Sequence, residues 1–310
     1  MLLALTPNPA IDRTLIVYGF RHADVTRVAQ RHDAAGGKGL NVARVARTLG
    51  TEVRALGLLG GHTGRVIADL AEAEGLDARW AWLAQGESRV CLLVSDPAAH
   101  DTLVINEHGP LVDEQDWNAL ETLLRSEVRH ASALTSSGSL PPGAPVDRFH
   151  SLLADLLGQA MVLLDTSGAV LRGALDLPLT MLKINHHEIG DVLGRSIDTP
   201  ADAAAAAREV CRRGPHSVIV TLGKHGAVAS NGATAWFART PELAALSPVG
   251  SGDAVMAGAA STLLAGGSLS EALQLGVAAG AANVLTLGAG VVRPDDLVRL
   301  LPQITLERLD

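Results

Sequence analysis

Apolar and polar positions along this chain fall into two repeating patterns. Short runs with few polar residues, at 2–5, 53–58, 133–135, 161–165, 180–184 and 217–222, read as buried strands. Between them lie stretches in which apolar residues recur every three or four positions. These predict helices over 39–49, 63–74, 113–129, 145–157, 201–213 and 252–264, with a final pair over 270–286 and 294–301. Continuously apolar strands alternating with amphipathic helices predict a mostly parallel sheet covered on both faces. Two segments, 11–33 and 88–106, break the rhythm. Each shows strand-like alternation, as in Arg89-Val90-Cys91-Leu92-Leu93-Val94, with no helix directly after it. They predict a small separate sheet inserted on one α/β domain spanning 1–310. A sheet with one apolar face needs a cover, so it would serve as a lid over a site or as a contact between two copies of the chain.

Composition narrows the class. The 310 residues are 47% hydrophobic and 19% charged, enough apolar material for a large core. No uncharged apolar run approaches the roughly 20 residues of a membrane span. The first residues, Met1-Leu2-Leu3-Ala4-Leu5-Thr6-Pro7, lack the basic region of a signal peptide and read as a first strand. Cys91 and Cys211, at unrelated spacing, make neither a disulfide framework nor a zinc site, and a reducing cytoplasm is the expected setting. A net charge of −8 speaks against nucleic acid as a partner. Of the 25 basic residues only three are lysines, Lys38, Lys183 and Lys224. Each lies in or beside a glycine-rich or strand-end segment. Lysine is a compact point charge where arginine is a planar fork, so the choice matters at a phosphate.

Candidate chemistry gathers at the strand ends. Pro248-Val249-Gly250-Ser251-Gly252-Asp253 runs straight into an Ala-rich helical pattern. Glycines allow close approach of a ligand to the backbone, and a helix start attracts anions. A carboxylate beside such an anion hole can take a proton from a hydroxyl while the hole steadies a phosphoryl group. Aspartate is also a favoured N-cap, so this segment alone supports either a base or a cap at Asp253. Gly36-Gly37-Lys38-Gly39-Leu40-Asn41 lacks the spacing of a GxxxxGK[ST] phosphate loop, but it joins flexible backbone to a lysine and an asparagine at a helix start, which suits a polyhydroxylated ligand. Asp12 follows the first strand, where open α/β sheets bind ligands. Asn185 and Glu188, three apart, suit a hydrated Mg²⁺. His186 and His187 are expected to point apart and not to share a metal. Thr221-Leu222-Gly223-Lys224-His225-Gly226 suits a surface lying against a nucleotide. There is no GxGxxG directly after the first strand, which speaks against a dinucleotide-dependent oxidoreductase.

In order, NPAID, GGKGLNVAR, GLLGGHTG, GSLPPG, LDTSG, KINHHE, TLGKHG and VGSGD resemble the ribokinase-like (PfkB) carbohydrate kinase family over nearly the whole chain, most closely its phosphohexose branch. That resemblance implies a three-layer α/β/α body with a mostly parallel central sheet and a small β-sheet lid. It implies Asp253 as catalytic base and Gly250, Ser251 and Gly252 as anion hole. Asp12, Gly37, Lys38, Asn41 and Ser139 would bind the sugar, with Arg27 and Arg89 of the lid at its phosphate. Lys183, Asn185, Thr221, Gly223, Gly226 and Asn283 would line the ATP side, with Glu188 holding Mg²⁺ through water. A monovalent cation at the anion hole is a further cofactor the resemblance admits. The implied reaction moves the γ-phosphoryl of ATP to a ketohexose phosphate, tagatose 6-phosphate or fructose 1-phosphate. The alternatives are a kinase of an unphosphorylated sugar or nucleoside, and a non-catalytic binding protein. The sequence departs from the family pattern in three places. The hole reads Gly-Ser-Gly where Gly-Ala-Gly is commoner, Ser247 replaces a frequent asparagine on the adenosine side, and Ile184 replaces a proline before Asn185.

Overall fold

The computed structural model describes residues 1–19, 24–99 and 101–309. Positions 20–23 and 100, which belong to the two segments expected to form the small sheet, lie outside the described residues. In chain order the first elements are β1 (Leu2–Thr6), β2 (Ala10–Ile16), β3 (Gln30–Gly36), α1 (Lys38–Thr48), β4 (Val53–Leu59), α2 (Gly61–Ala73), β5 (Ala78–Trp82), β6 (Arg89–Asp96), β7 (Asp101–Asn106) and α3 (Glu114–Val128). There follow β8 (Ala133–Ser137), α4 (Val146–Leu156), β9 (Met161–Asp165), α5 (Gly168–Ala174), β10 (Met181–Asn185), α6 (His186–Leu193), α7 (Pro200–Cys211) and β11 (Val218–Thr221). The last are β12 (Gly226–Ser230), β13 (Ala235–Arg239), α8 (Ser251–Leu264), α9 (Leu269–Asn283), α10 (Pro294–Leu300) and β14 (Thr305–Leu309).

A ten-stranded sheet runs in the order β14-β13-β12-β11-β10-β9-β8-β1-β4-β5. It is parallel from β11 through to β5, and β12, β13 and β14 extend it antiparallel at one edge. Side chains of a strand alternate between faces. Leu2 and Ala4 of β1 enter one core with α1, α2, α8, α9 and α10, while Leu3 and Leu5 enter the other with α3 to α7. The body is therefore the expected three-layer sandwich. Among the described residues no helix is long and apolar enough to cross a membrane.

The two β-rich insertions do pair, as β3-β2-β6-β7. In that sheet β2 and β6 are parallel, with Asp12 opposite Cys91, and β3 and β7 flank them antiparallel. β2 leaves β1 through Asn8-Pro9, and β3 returns through Gly36-Gly37 into α1. The small sheet is thus tethered where the parallel strands end.

The strands β5, β12, β13 and β14 were not predicted. β12, Gly-Ala-Val-Ala-Ser, has a weak strand composition, while Trp236-Phe237 of β13 and Asn231-Gly232 at the turn are the signals that mark the hairpin. Four helices begin in reciprocal capping boxes, Asp113/Asp116, Asn185/Glu188, Thr199/Asp202 and Ser268/Glu271.

α8 and α9 pack through glycine. A Cβ on Gly258 would lie 2.7 Å from the Cα and 2.8 Å from the N of Gly276 and 2.9 Å from the C of Leu275, all backbone that cannot swing aside. We expect Gly258→Val to cost about 2 kcal/mol or more through overpacking, read as a lowered midpoint in urea or thermal unfolding.

Candidate active site

Parallel strands put the ends of β1, β8, β9, β10 and β11 along one edge of the large sheet, and the start of α8 faces them. Gly250 precedes that helix with φ 83°. A Cβ there would meet the backbone N of Gly290 at 2.4 Å, so only glycine fits. No side chain caps α8. Asp253 is in its first turn, not at the N-cap, so the capping alternative falls. Ser251 Oγ donates to Pro248 O at 2.7 Å, tying the turn that leads into the helix.

Asp253 is buried and accepts a hydrogen bond from Asn41 Nδ2 at 2.8 Å. Burial pushes its carboxyl up to about 6, against the pull of the Lys38 and Lys183 ammonium groups and with the push of Asp165. Asp165, at the end of β9, is the residue that the sequence reading left without a role. Its carboxylate is fully buried and accepts from Lys38 Nζ at 3.1 Å and from Lys183 Nζ at 2.9 Å. Burial would raise it, but Lys183 and Lys38 outweigh that and hold it below the usual carboxylate range. Asp165 in turn pushes the Lys38 ammonium further up. Lys183 is also close to α8, since a Cβ on Gly252 would lie 2.8 Å from its Nζ. Two ammonium groups and the positive end of a helix dipole converge there, a setting for an anion.

Beside this cluster opens a cleft of about 720 Å³. Thr221, Gly223, Lys224, Gly226, Ser251 and Gly252 line it, and Val255, Val277, Ala281 and Val284 give it apolar surface. On the other side Asp12 accepts from Gly37 N at 3.4 Å, and burial raises its carboxyl above the ordinary value. Glu188 lies close enough to Lys38 for its charge to raise that ammonium.

Several sequence expectations change. Asn41 has protein partners at both ends of its amide, because one Nδ2–H goes to Asp253 and Oδ1 accepts from Arg44 Nη1 at 2.9 Å. Asn283 is fully buried and outside the cleft lining. It donates to Val249 O and accepts from Val291 N, so it braces the loop before α8. Asn185 and Glu188 cap α6 reciprocally, a signal present in the N-x-x-E spacing. The His186 and His187 rings do not diverge. Their centroids are 3.9 Å apart, with His186 Nδ1 bonded to Thr221 O, and among the described residues no cluster that could hold a metal includes them. Arg89 spends Nε and Nη2 on Asn8 O and Nη1 on Glu107 O. Arg27 is exposed between β2 and β3. Ser139 is exposed after Gly138, whose backbone runs beside the Lys38 stem. Ser247 is buried and accepts from Val249 N.

The pfkB family carbohydrate kinase model matches residues 6–296. The chain belongs to the pfkB family of carbohydrate kinases. It is accordingly a phosphotransferase with a hydroxyl acceptor. It is 28% identical over 310 residues to the 1-phosphofructokinase of Bacillus subtilis, covering 100% of both chains. Its structure resembles that of Escherichia coli phosphofructokinase-2 in complex with potassium, with a TM-score of 0.91, 27% identity and 98% of each chain covered. The same enzyme in complex with fructose-6-phosphate matches with a TM-score of 0.88, 26% identity and 98% coverage of each chain. For this pfkB kinase the buried charge cluster gives a direct stability test. Asp165→Asn would leave Lys38 and Lys183 without their shared counter-charge, at an expected cost of about 3–5 kcal/mol. The depressed carboxyl stabilises the fold above its ordinary titration range and loses that effect as pH falls. The mutant deficit in urea unfolding should therefore be full at pH 7 and shrink in acid.

Proposed function

We propose that this kinase transfers the γ-phosphoryl group of ATP to a hydroxyl of a ketohexose phosphate, tagatose 6-phosphate or fructose 1-phosphate, giving a 1,6-bisphosphate. The observation that carries this reading is the buried Asp253 carboxylate, raised to about 6, at the start of α8 beside Lys38 and Lys183. A base whose pKa lies just below working pH is ionised there and still takes a proton readily. The acceptor hydroxyl gives its proton to Asp253 as its oxygen bonds to the γ-phosphorus. The bond from that phosphorus to the β–γ bridging oxygen breaks, and ADP leaves. Gly250, Ser251 and Gly252 allow the phosphoryl oxygens to approach the helix start, and Lys183 and Lys38 add positive charge.

ATP fits the cleft walled by Thr221, Gly223 and Gly226, with aliphatic side chains for the base. Mg²⁺ fits the acidic group present, because an ion arriving on phosphates keeps its waters and needs few protein ligands, and Glu188 supplies one carboxylate near Lys38. When bound, that ion neutralises charge on the phosphates. Asp12, Gly37 and Lys38 face the acceptor side, with Ser139 at its rim. The small sheet is read as a lid. Arg89 at its root retains two N–H groups beyond those it gives to carbonyls, and these, with Arg27, are read as the receptors of the acceptor's phosphate. Leu103, Val104 and Ile105 of β7 are about half exposed, and a second copy of the chain is read as their cover. Light scattering should then give twice the chain mass, and a monomer at working concentration would remove that contact.

The test is ADP release with Mg-ATP, offering fructose 1-phosphate, fructose 6-phosphate, tagatose 6-phosphate and the free sugars. Turnover is expected on a ketohexose phosphate. Asp253→Asn should lower kcat by about 10²–10⁴-fold. The acid limb of kcat/KM should fall near pH 6, because the raised carboxyl is protonated and idle below it. Turnover on free sugars alone would overturn the phosphorylated acceptor.

A further inference from the structure

Arg44, one turn after Asn41 on α1, makes no contact with the cleft, and the reaction as described has no use for it. Its guanidinium is nonetheless fully engaged. Nε donates to Glu74 Oε2 at 2.7 Å, Nη1 to Asn41 Oδ1 at 2.9 Å and to Ala289 O at 3.1 Å, and Nη2 to Ala35 O at 2.6 Å. Nη2 also lies 2.6 Å from Glu74 Oε2, and the Arg44 side chain is 16% exposed. Glu74 is itself anchored, since Oε1 accepts from Ala35 N at 2.9 Å. An exposed ion pair with Glu74 would need none of the other three acceptors.

We propose that Arg44 is a positioning residue whose guanidinium dictates which end of the Asn41 amide faces Asp253, so that the carboxylate always meets an N–H donor. The proposal rests on reading Asp253 as the base only for its effect on rate; the geometry stands by itself. A guanidinium has five donors and no acceptor. The Asn41 atom against it must therefore be oxygen. The other end of the amide, nitrogen, then faces Asp253 Oδ2 at 2.8 Å. Asn41 cannot escape by moving, because the Gly290 backbone lies against it, and a Cβ on that glycine would come within 2.7 Å of the Asn41 Cα and Cβ.

The chemical consequence follows from the polarity of the bond. An amide N–H favours the ionised carboxylate, and an amide oxygen favours the protonated acid, which can donate to it. The charged groups facing Asp253 are Lys38 from α1, Asp165 from β9 and Lys183 from β10, and none of them touches the amide's orientation. Without Arg44 the turned amide becomes compatible with a protonated Asp253, which can donate to the amide oxygen, so the proton would be held more tightly on Asp253.

The experiment is a carboxyl ¹³C NMR titration of aspartate-labelled protein, with the Asp253 signal assigned by its loss in Asp253→Asn. The variants are Arg44→Met, Arg44→Met with Glu74→Gln, Glu74→Gln alone, Arg44→Lys and Arg44→Gln. The double variant removes the ion pair without changing net charge. The Asp253 midpoint should rise by about one unit, a tenfold change in the ionisation equilibrium, in Arg44→Met and in the double variant. Arg44→Lys, still donor-only, should stay near the wild-type midpoint, as should Glu74→Gln. Arg44→Gln keeps a polar side chain that no longer dictates the amide's orientation, and its midpoint should also rise; it serves if the methionine variants do not fold. An unmoved midpoint in the variants lacking Arg44, or a rise in Arg44→Met that vanishes in the double variant, would overturn the proposal. In the same variants the acid limb of kcat/KM should follow the NMR midpoint. A midpoint that rises while the acid limb stays put would uphold the positioning role and overturn Asp253 as base.

Discussion

The site depends on one buried carboxylate held between two ammonium groups. Asp165 closes β9 and binds Lys38 from the first turn of α1 and Lys183 from β10. Removing a carboxylate from water is costly unless it is paired and hydrogen-bonded, and two lysines with different origins in the chain meet that requirement. The pairing fixes α1 against the sheet edge and holds both lysines beside α8. Asp253 then experiences opposing effects, burial and Asp165 raising its proton affinity and the two lysines lowering it. The balance leaves a carboxyl that titrates near the working range of a proton acceptor.

Close backbone approach is the second constraint. Gly250 meets Gly290, Gly252 meets Lys183, and Gly290 meets Asn41, each at a distance that a side chain would fill. These contacts bring the start of α8, the loop before α10 and the first turns of α1 within hydrogen-bonding range of one another. The Arg44–Asn41–Asp253 chain exists only because of that closeness, and it runs from the root of the small sheet at Ala35 to the carboxylate.

The small sheet is joined to the body at the same place. Asn8 Nδ2 donates to His108 O, and Arg89 donates to Asn8 O and Glu107 O, so the two ends of the second insertion are pinned beside the end of β1. Displacement of that sheet would be felt first by residues next to Asp12 and Gly37.

The sequence by itself determined the alternation of strands and helices, the two insertions, and the glycine-rich loops around Lys38 and Asp253. Those are local signals, because a strand's apolar run, a helix's period and a turn's glycine are each set by neighbours in the chain. The signal for the unpredicted β12–β13 hairpin was also local, in its Asn-Gly turn and in Trp236-Phe237, with little β signal in Gly-Ala-Val-Ala-Ser of β12. The tertiary structure alone decided how side chains distant in sequence divide their hydrogen bonds. The sequence does not reveal that Asn41 bridges Arg44 and Asp253, and Asn283 reads as a cleft residue until the loops at Val249 and Val291 enclose it. Asp165 reads as the last residue of an apolar strand until Lys38 and Lys183 arrive from 127 and 18 positions away. Hydrogen-bond donors and acceptors are saturable, so the role of a polar side chain depends on which partner reaches it, and that is a property of packing.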